Sequence, residues 1–231
     1  GASSGIGFGI ASKFAKEGAK VIATYNKNIK GAKKLRKDSG CSIYKLDIRN
    51  KKKIFDLFKK IKKEFKRVDV LVNNAGVNKT NDFDKLSEKD WDYVLDVNLK
   101  GVFLCCQAAC KFMSNGSKII NIGSLSGEYG GPRTPSYAAA KAGVMSMTHC
   151  LARFLGKKKI CVNCLSPGVI GNEFTAKTMS KDVKKIVNNL ILLKRFGKIE
   201  DLVGTAVFLA SEDANYITGQ TISVNGGAWV R

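Results

Sequence analysis

Short apolar runs alternate with lysine-bearing, helix-patterned segments along this chain, and no other feature restricts its fold as much. The runs KVIATY, CSIYKLDI, VDVLVNNAG, KIINIGS, KICVNCLSPGV and QTISVNGG read as strands. Between them lie helical segments near Ile29 to Lys37, from about Lys52 to Phe65, through WDYVLDVNLKGVFLCCQAACKFM, from SYAAAKAGV onward, and at LVGTAVFLAS. Strands and helices alternating at these lengths form βαβ units, so the expected fold class is α/β, a doubly wound parallel sheet. The 231 residues suit a single domain over residues 1–231. The strand ends of such a sheet share one edge, and ligands bind there.

At the start of the chain, GASSGIGFGIASKFAKEGAK places Gly1, Gly5 and Gly7 ahead of an amphipathic helix carrying Ile10, Phe14 and Ala15. Glycines in a strand-to-helix turn let the backbone approach a pyrophosphate, whose charge the helix N-terminus favours. The chain opens at Gly1 within this turn, and the first strand of a nucleotide-binding sheet of the Rossmann type is central. A short apolar strand is therefore expected ahead of Gly1, together with any targeting segment. At the end of KVIATY stand Thr24, Tyr25, Asn26 and Lys27, with no carboxylate. An acid there would bond the ribose 2′-hydroxyl of NAD and repel a 2′-phosphate. The residues present favour NADP (NADPH) over NAD, with Lys27 as the phosphate's partner, although Lys27 is one lysine among many.

The chemistry concentrates in NIGSLSGEYGGPRTPSYAAAK, with Ser124, Tyr137 thirteen residues later and Lys141 one helical turn beyond. Residues at i and i+4 project from one helix face, so phenol and ammonium can meet in one site. A nearby cation lowers a tyrosine pKa from its usual value of about 10 toward the working range. Ser124, at the end of KIINIGS, can hold a substrate carbonyl by a hydrogen bond. Ser136 is placed to cap the helix that carries Tyr137. A Tyr–Lys pair at this spacing is also common on ordinary helices, so the pair alone decides nothing. Asn98 sits mid-helix among Val97, Leu99, Val102 and Phe103, where a buried carboxamide needs partners and can hold a water.

Composition narrows the partners. Hydrophobic residues make up 44% and no apolar run approaches a membrane span, so no membrane is expected. Lys and Arg number 40 against 19 Asp and Glu, a formal charge of +21 that favours anionic partners. Base reading recruits arginine and aromatics, and with no such motif present a solvated lysine surface is preferred to nucleic-acid binding. Cys161 and Cys164 form a CxxC on a strand, where they point to opposite faces, and the single histidine is His149. Neither a zinc site nor a redox pair follows, so no metal is expected. The seven cysteines read as buried reduced thiols in a reducing compartment: cytoplasmic, or an organelle interior if a transit peptide precedes Gly1.

Taken together, GASSGIG, the NNAG at Asn73 to Gly76, Asn98, the Ser124, Tyr137 and Lys141 set, and the turn at Pro167 and Gly168 resemble the short-chain dehydrogenase/reductase family over essentially the whole chain. The resemblance implies that Tyr137 is general acid in ketone reduction, Lys141 lowers its pKa and contacts the nicotinamide ribose, Ser124 orients the carbonyl, and Asn98 holds a relay water. It implies cofactor binding by Gly1, Ser3, Ser4, Gly5, Ile6 and Gly7, then by Tyr25, Asn26 and Lys27. Asp47 and Ile48 fall on the adenine position. Asn74, Ala75, Gly76, Tyr137, Lys141, Pro167, Gly168, Val169 and Ile170 complete that set.

Within the family the likeness is to members that reduce a 3-oxoacyl thioester, on acyl-carrier protein or CoA, in fatty-acid synthesis. It rests on NVNLKGVF, YAAAKAGV and ITGQTISVNGG. Such members are homotetramers that pair the Asn98 and Tyr137 helices across subunits, and they dock an acidic carrier on basic residues near the site. Lys158 falls on one docking position, Asn115 stands near another, and Asn172 replaces the Thr that often follows the Pro-Gly turn. A substrate flap is expected at about 171–198. Two other readings stay open: a dehydrogenase for a sugar, polyol or other secondary alcohol, and a non-catalytic cofactor- or nucleic-acid-binding regulator.

Overall fold

The computed structural model describes residues 1–171, 185 and 189–230. In chain order they form α1 (Gly5–Lys16), β1 (Ile22–Tyr25), α2 (Ile29–Ser39), β2 (Ser42–Lys45), α3 (Lys51–Phe65), β3 (Val70–Asn73) and α4 (Glu88–Leu95). There follow α5 (Gly101–Ala109), β4 (Lys118–Ile122), α6 (Ser126–Tyr129), α7 (Pro135–Leu155), β5 (Cys161–Pro167), α8 (Glu200–Ala210) and β6 (Thr221–Val224). Each expected apolar run is a strand.

All strand pairings are parallel: β1 with β2, and β3, β4, β5 and β6 in that order. Because side chains alternate across a strand, consecutive isoleucines of β4 feed opposite layers. Ile119 packs with Ile54 and Phe58 of α3, Val102 of α5, and Val144 and Leu155 of α7. Ile120 and Ile122 pack with Ile10 of α1 and with Ala206 and Leu209 of α8. With both faces covered, β4 and β5 tolerate no exposed position, which is why they read as continuous apolar runs.

The sheet is divided. β1 and β3 do not pair; residues of both line one cavity of about 700 Å³, with Ile10, Ala11 and Phe14 of α1 and Phe58 and Ile61 of α3 among its walls. Its walls are mostly apolar, with Lys20, Glu64, Arg67 and Asp69 also among them. Gly1 lines it too.

Two local features depart from sequence expectation. The long apolar helix is continuous from α4 to α5 but widens at Asp96–Lys100 into a π-turn, in which Gly101 N donates to Asp96 O. Asn98 accounts for the widening: its Nδ2 donates to Val94 O at 2.9 Å, taking a carbonyl one turn back that an α-helical amide would use. In α7, Ser136 is not the cap. The helix starts one residue earlier, at Pro135, whose fixed φ suits a first helical position, with Thr134 at the cap. Ser136 lies inside the first turn, fully buried, with no hydrogen-bond partner for its hydroxyl among the described residues.

Candidate active site

At the C-terminal ends of β1, β3, β4 and β5 the connecting loops enclose a crevice of about 720 Å³. Parallel strands deliver all these ends to one edge, so residues far apart in sequence converge there. Gly1, Ser3, Ser4 and Ile6 line it from the glycine turn, Asn26 and Lys27 follow β1, and Asp47 and Ile48 follow β2. Asn74, Ala75 and Gly76 line it after β3, Ser124 after β4, and Pro167, Gly168 and Ile170 at the end of β5. Tyr137 and Lys141 enter from α7. Gly5, Gly7, Tyr25, Val169 and Asn98 do not line it.

The glycine turn is locked to the loop after β3. Asn74 Nδ2 donates to Gly1 O at 2.7 Å, and a Cβ at Gly7 would stand 2.2 Å from that same oxygen and 2.4 Å from Asn74 Nδ2. No side chain but hydrogen fits there. A Cβ at Gly76 would likewise meet Asn98 Oδ1 at 2.7 Å. Asn98 itself is fully buried: Oδ1 accepts from Val77 N at 3.2 Å and Nδ2 donates to Val77 O at 2.8 Å. It is a brace between the π-turn and the crevice loop.

Tyr137, Ser124 and Lys141 meet as the spacing predicts, but the electrostatics differ from expectation. Burial pushes the Tyr137 phenol above its usual value, and a hydrogen bond with Ser124 pulls it back. Lys141 does not enter, because its Nζ donates to Ile122 O at 2.6 Å and lies 5.6 Å from the Tyr137 ring centroid. The expected lowering of the phenol pKa by Lys141 is therefore not seen in this arrangement. Burial brings the Lys141 ammonium down to about 8, with a smaller opposing influence from Cys164.

Other expectations move. Gly116, one residue after Asn115, donates its N–H to Lys159 O, just before β4 and β5 begin. Asn115 and Lys158 thus stand at the sheet edge opposite Ser124, not near the site. Strand direction is the reason: residues preceding parallel strands cannot share an edge with residues that follow them. Asn172 and most of the expected flap, 172–184 and 186–188, lie outside the described residues. The two feet of that excursion are tied, with Ile170 bridged to Gly197 and Gly171 N donating to Gly197 O at 2.8 Å. Cys150 is exposed, unlike the buried thiol expected there, because it lies on the outer face of α7.

A family model described as enoyl-(acyl carrier protein) reductase matches residues 1–228. The chain is 40% identical to 3-oxoacyl-[acyl-carrier-protein] reductase FabG of Staphylococcus epidermidis over 237 residues, covering 100% of this chain and 97% of the relative. It is 39% identical to the enzyme of the same name from Thermotoga maritima over 236 residues, 98% and 94% of the two chains. A solved short-chain dehydrogenase/reductase from Brucella melitensis, titled glucose/ribitol dehydrogenase, superposes with a TM-score of 0.94 at 31% identity, covering all of this chain and 95% of that one.

The chain belongs to the short-chain dehydrogenase/reductase family. It is an oxidoreductase, and the crevice suits the nicotinamide cofactor of the family. The glycine turn admits no side chain at Gly7, α1 begins at the crevice with no acid in its first turn, and the cavity runs from Asp47 to Tyr137. As a short-chain dehydrogenase/reductase it also uses residues that motif reading passed over. Asn28 caps α2 by accepting from Gly31 N at 2.9 Å and donates to Ser3 O at 3.2 Å, tying the loop after β1 to the glycine turn. Tyr93 lines the crevice from α4. The signal for Asn28 was an Asn at a helix start; Tyr93 had none.

Proposed function

We propose that this protein reduces a 3-oxoacyl thioester, carried on an acidic acyl-carrier protein or CoA, to the 3-hydroxyacyl form with NADPH. The observation that carries the reading is the convergence of Ser124, Tyr137 and Lys141 at one end of a crevice whose other end is the glycine turn. Gly1, Ser3, Ser4 and Ile6 would hold the pyrophosphate, Asn74 to Gly76 and Pro167 to Ile170 the nicotinamide half. Bound there, the cofactor supplies hydride to the carbonyl carbon. Ser124 orients the carbonyl oxygen and Tyr137 donates the proton to it. Burial that raises the phenol pKa keeps it protonated at neutral pH, which suits a proton donor. The Lys141 ammonium stands behind the phenol and is placed to take a ribose hydroxyl, and the Val77–Asn98 brace fixes the loop that would hold a relay water.

For NADPH over NADH the support is the loop after β1. Asn26, Lys27 and Asn28 line the crevice, and among the described residues no carboxylate lies within ion-pair distance of Lys27. Assembly as a homotetramer belongs to the same reading, since Phe103 and Phe154 stand 46% and 60% exposed on α5 and α7. Neither nucleic acid nor a membrane enters it. The glucose/ribitol title of the Brucella structure supports a second reading, oxidation of a sugar or polyol.

The test is NADPH and NADH oxidation with acetoacetyl-CoA, beside reduction of NADP or NAD with ribitol and glucose. NADPH-linked turnover of the thioester is expected, and Tyr137→Phe is expected to lose it by at least about a hundredfold while binding cofactor normally. Turnover of the polyols alone would transfer the assignment to the second reading; full activity in the Phe variant would remove Tyr137 from the mechanism.

A further inference from the structure

Glu128 is the only acidic side chain between Val97 and Gly171, and no step described above uses it. It stands on α6, the single helical turn that follows Ser124. Its Oε1 accepts from two hydroxyls at once, Ser166 Oγ at 2.5 Å and Ser223 Oγ at 2.8 Å. Those serines are register partners in the β5–β6 pairing, so both project from one face of the sheet. Ser166 is fully buried and immediately precedes Pro167 and Gly168 in the crevice wall.

A four-residue helix makes too few internal hydrogen bonds to hold its own shape, so its orientation is set by what it touches. Main-chain bonds secure the approach to it: Gly123 N donates to Leu165 O at 2.8 Å and Leu125 N to Pro167 O at 2.9 Å. Ser124 is tied into the turn, since its Oγ accepts from Ser126 N at 3.2 Å and its carbonyl accepts from Gly127 N at 2.9 Å. With one acceptor position of Oγ taken by that amide, the turn directs the Ser124 hydroxyl. On its other side the turn lies against α7, where a Cβ at Gly127 would stand 2.7 Å from Ala142 N and 2.8 Å from the Lys141 carbonyl carbon. Glu128 then pins the far end of the turn to β5 and β6 together. A carboxylate accepts two hydroxyls more strongly than a neutral group would, and a side chain that bridges two strands resists rotation of the turn about either one.

We infer that Glu128 is a positioning residue: by gripping the paired hydroxyls of Ser166 and Ser223 it fixes the turn that aims Ser124 at the substrate carbonyl, at a set place relative to the Pro167–Gly168 edge of the crevice. The inference rests on the reductase reading above, in which Ser124 orients the carbonyl, and adds what holds Ser124 in place. Glu128 acts through Ser124 and is not assigned a contact with the reacting atoms.

The test follows Glu128→Ala, Glu128→Gln and the double variant Ser166→Ala/Ser223→Ala by three readouts: kcat/KM for acetoacetyl-CoA, the dissociation constant of NADPH, and amide hydrogen exchange over residues 123–129 in cofactor-free protein. Glu128→Ala is expected to lower kcat/KM by at least about tenfold, because a small misplacement of an orienting group costs that much. It should also hasten exchange at Ser126 and Gly127 while the NADPH constant holds. Glu128→Gln keeps an acceptor oxygen and should retain most of the activity and the slow exchange. Adding Glu128→Ala to the double serine variant should cost nothing further, since groups that act as one unit are not additive. Weakened NADPH binding in step with lost activity would overturn the role, because the crevice as a whole would then have given way. Unaltered exchange in Glu128→Ala would overturn it too, as would full activity despite fast exchange. Turnover of neither thioester nor polyol by the unaltered protein would instead overturn the reductase reading, while exchange in cofactor-free protein still decides whether Glu128 holds the turn.

Discussion

The ammonium of Lys141 is buried against Ile122 O with no carboxylate partner among the described residues, and this has a measurable cost. Its folded pKa of about 8 lies below the 10.5 of the free side chain. Between those values the unfolded chain binds the proton and the folded chain does not, so stability rises with pH through that window. Below pH 8 the penalty is complete; above 10.5 it is gone. In cofactor-free protein, the stability difference between Lys141→Met and the unaltered chain is expected to shrink by on the order of 3 kcal/mol from pH 7 to pH 10.5. Urea melts of both proteins across that range measure it, and a pH-independent difference would mean that the ammonium is solvated after all.

At the scale of elements, the cavity of about 700 Å³ between the unpaired β1 and β3 is lined mostly by apolar residues. An apolar, β-branched segment of five or six residues joined ahead of Gly1 is expected to enter it as a parallel strand. Each buried Val or Ile there contributes about 2 kcal/mol before ordering entropy, so the melting temperature should rise clearly. An unchanged melting temperature would show that β1 and β3 close on one another instead. The strands themselves were legible because apolar runs covered on both faces leave no ambiguity, as in KIINI of β4. The convergence of Ser124, Tyr137 and Lys141 was legible because helix spacing and strand ends place them by rule. The π-turn was not, since it depends on a carboxamide capturing Val94 O, an event of tertiary packing with no periodic trace. Glu128 was hidden for a similar reason: SGEYGG reads as an ordinary polar turn until Ser166 and Ser223 are brought beside it. The misplacement of Lys158 was avoidable, for it precedes a strand whose far end carries the site.

Over the whole molecule, charge is unevenly spread. From Val97 to Gly171 the only acid is Glu128, whereas Lys157, Lys158 and Lys159 stand exposed together past the end of α7. That end attracts anionic groups in general. Tyr137 sits in the first turn of the same helix, about 30 Å away at the rise of an α-helix. A thioester tether anchored on those lysines is thus a poor match for its own subunit. Two copies joined about a twofold axis through α7 would run the helices antiparallel and set one copy's lysines over the other's phenol. On the proposed reading, assembly would govern delivery of a carrier-linked substrate rather than chemistry. Diluting the protein until subunits separate, followed by light scattering, is expected to depress turnover of carrier-linked substrate while the rate per subunit with acetoacetyl-CoA holds. Equal losses for both would mean that neighbours prop up the crevice itself.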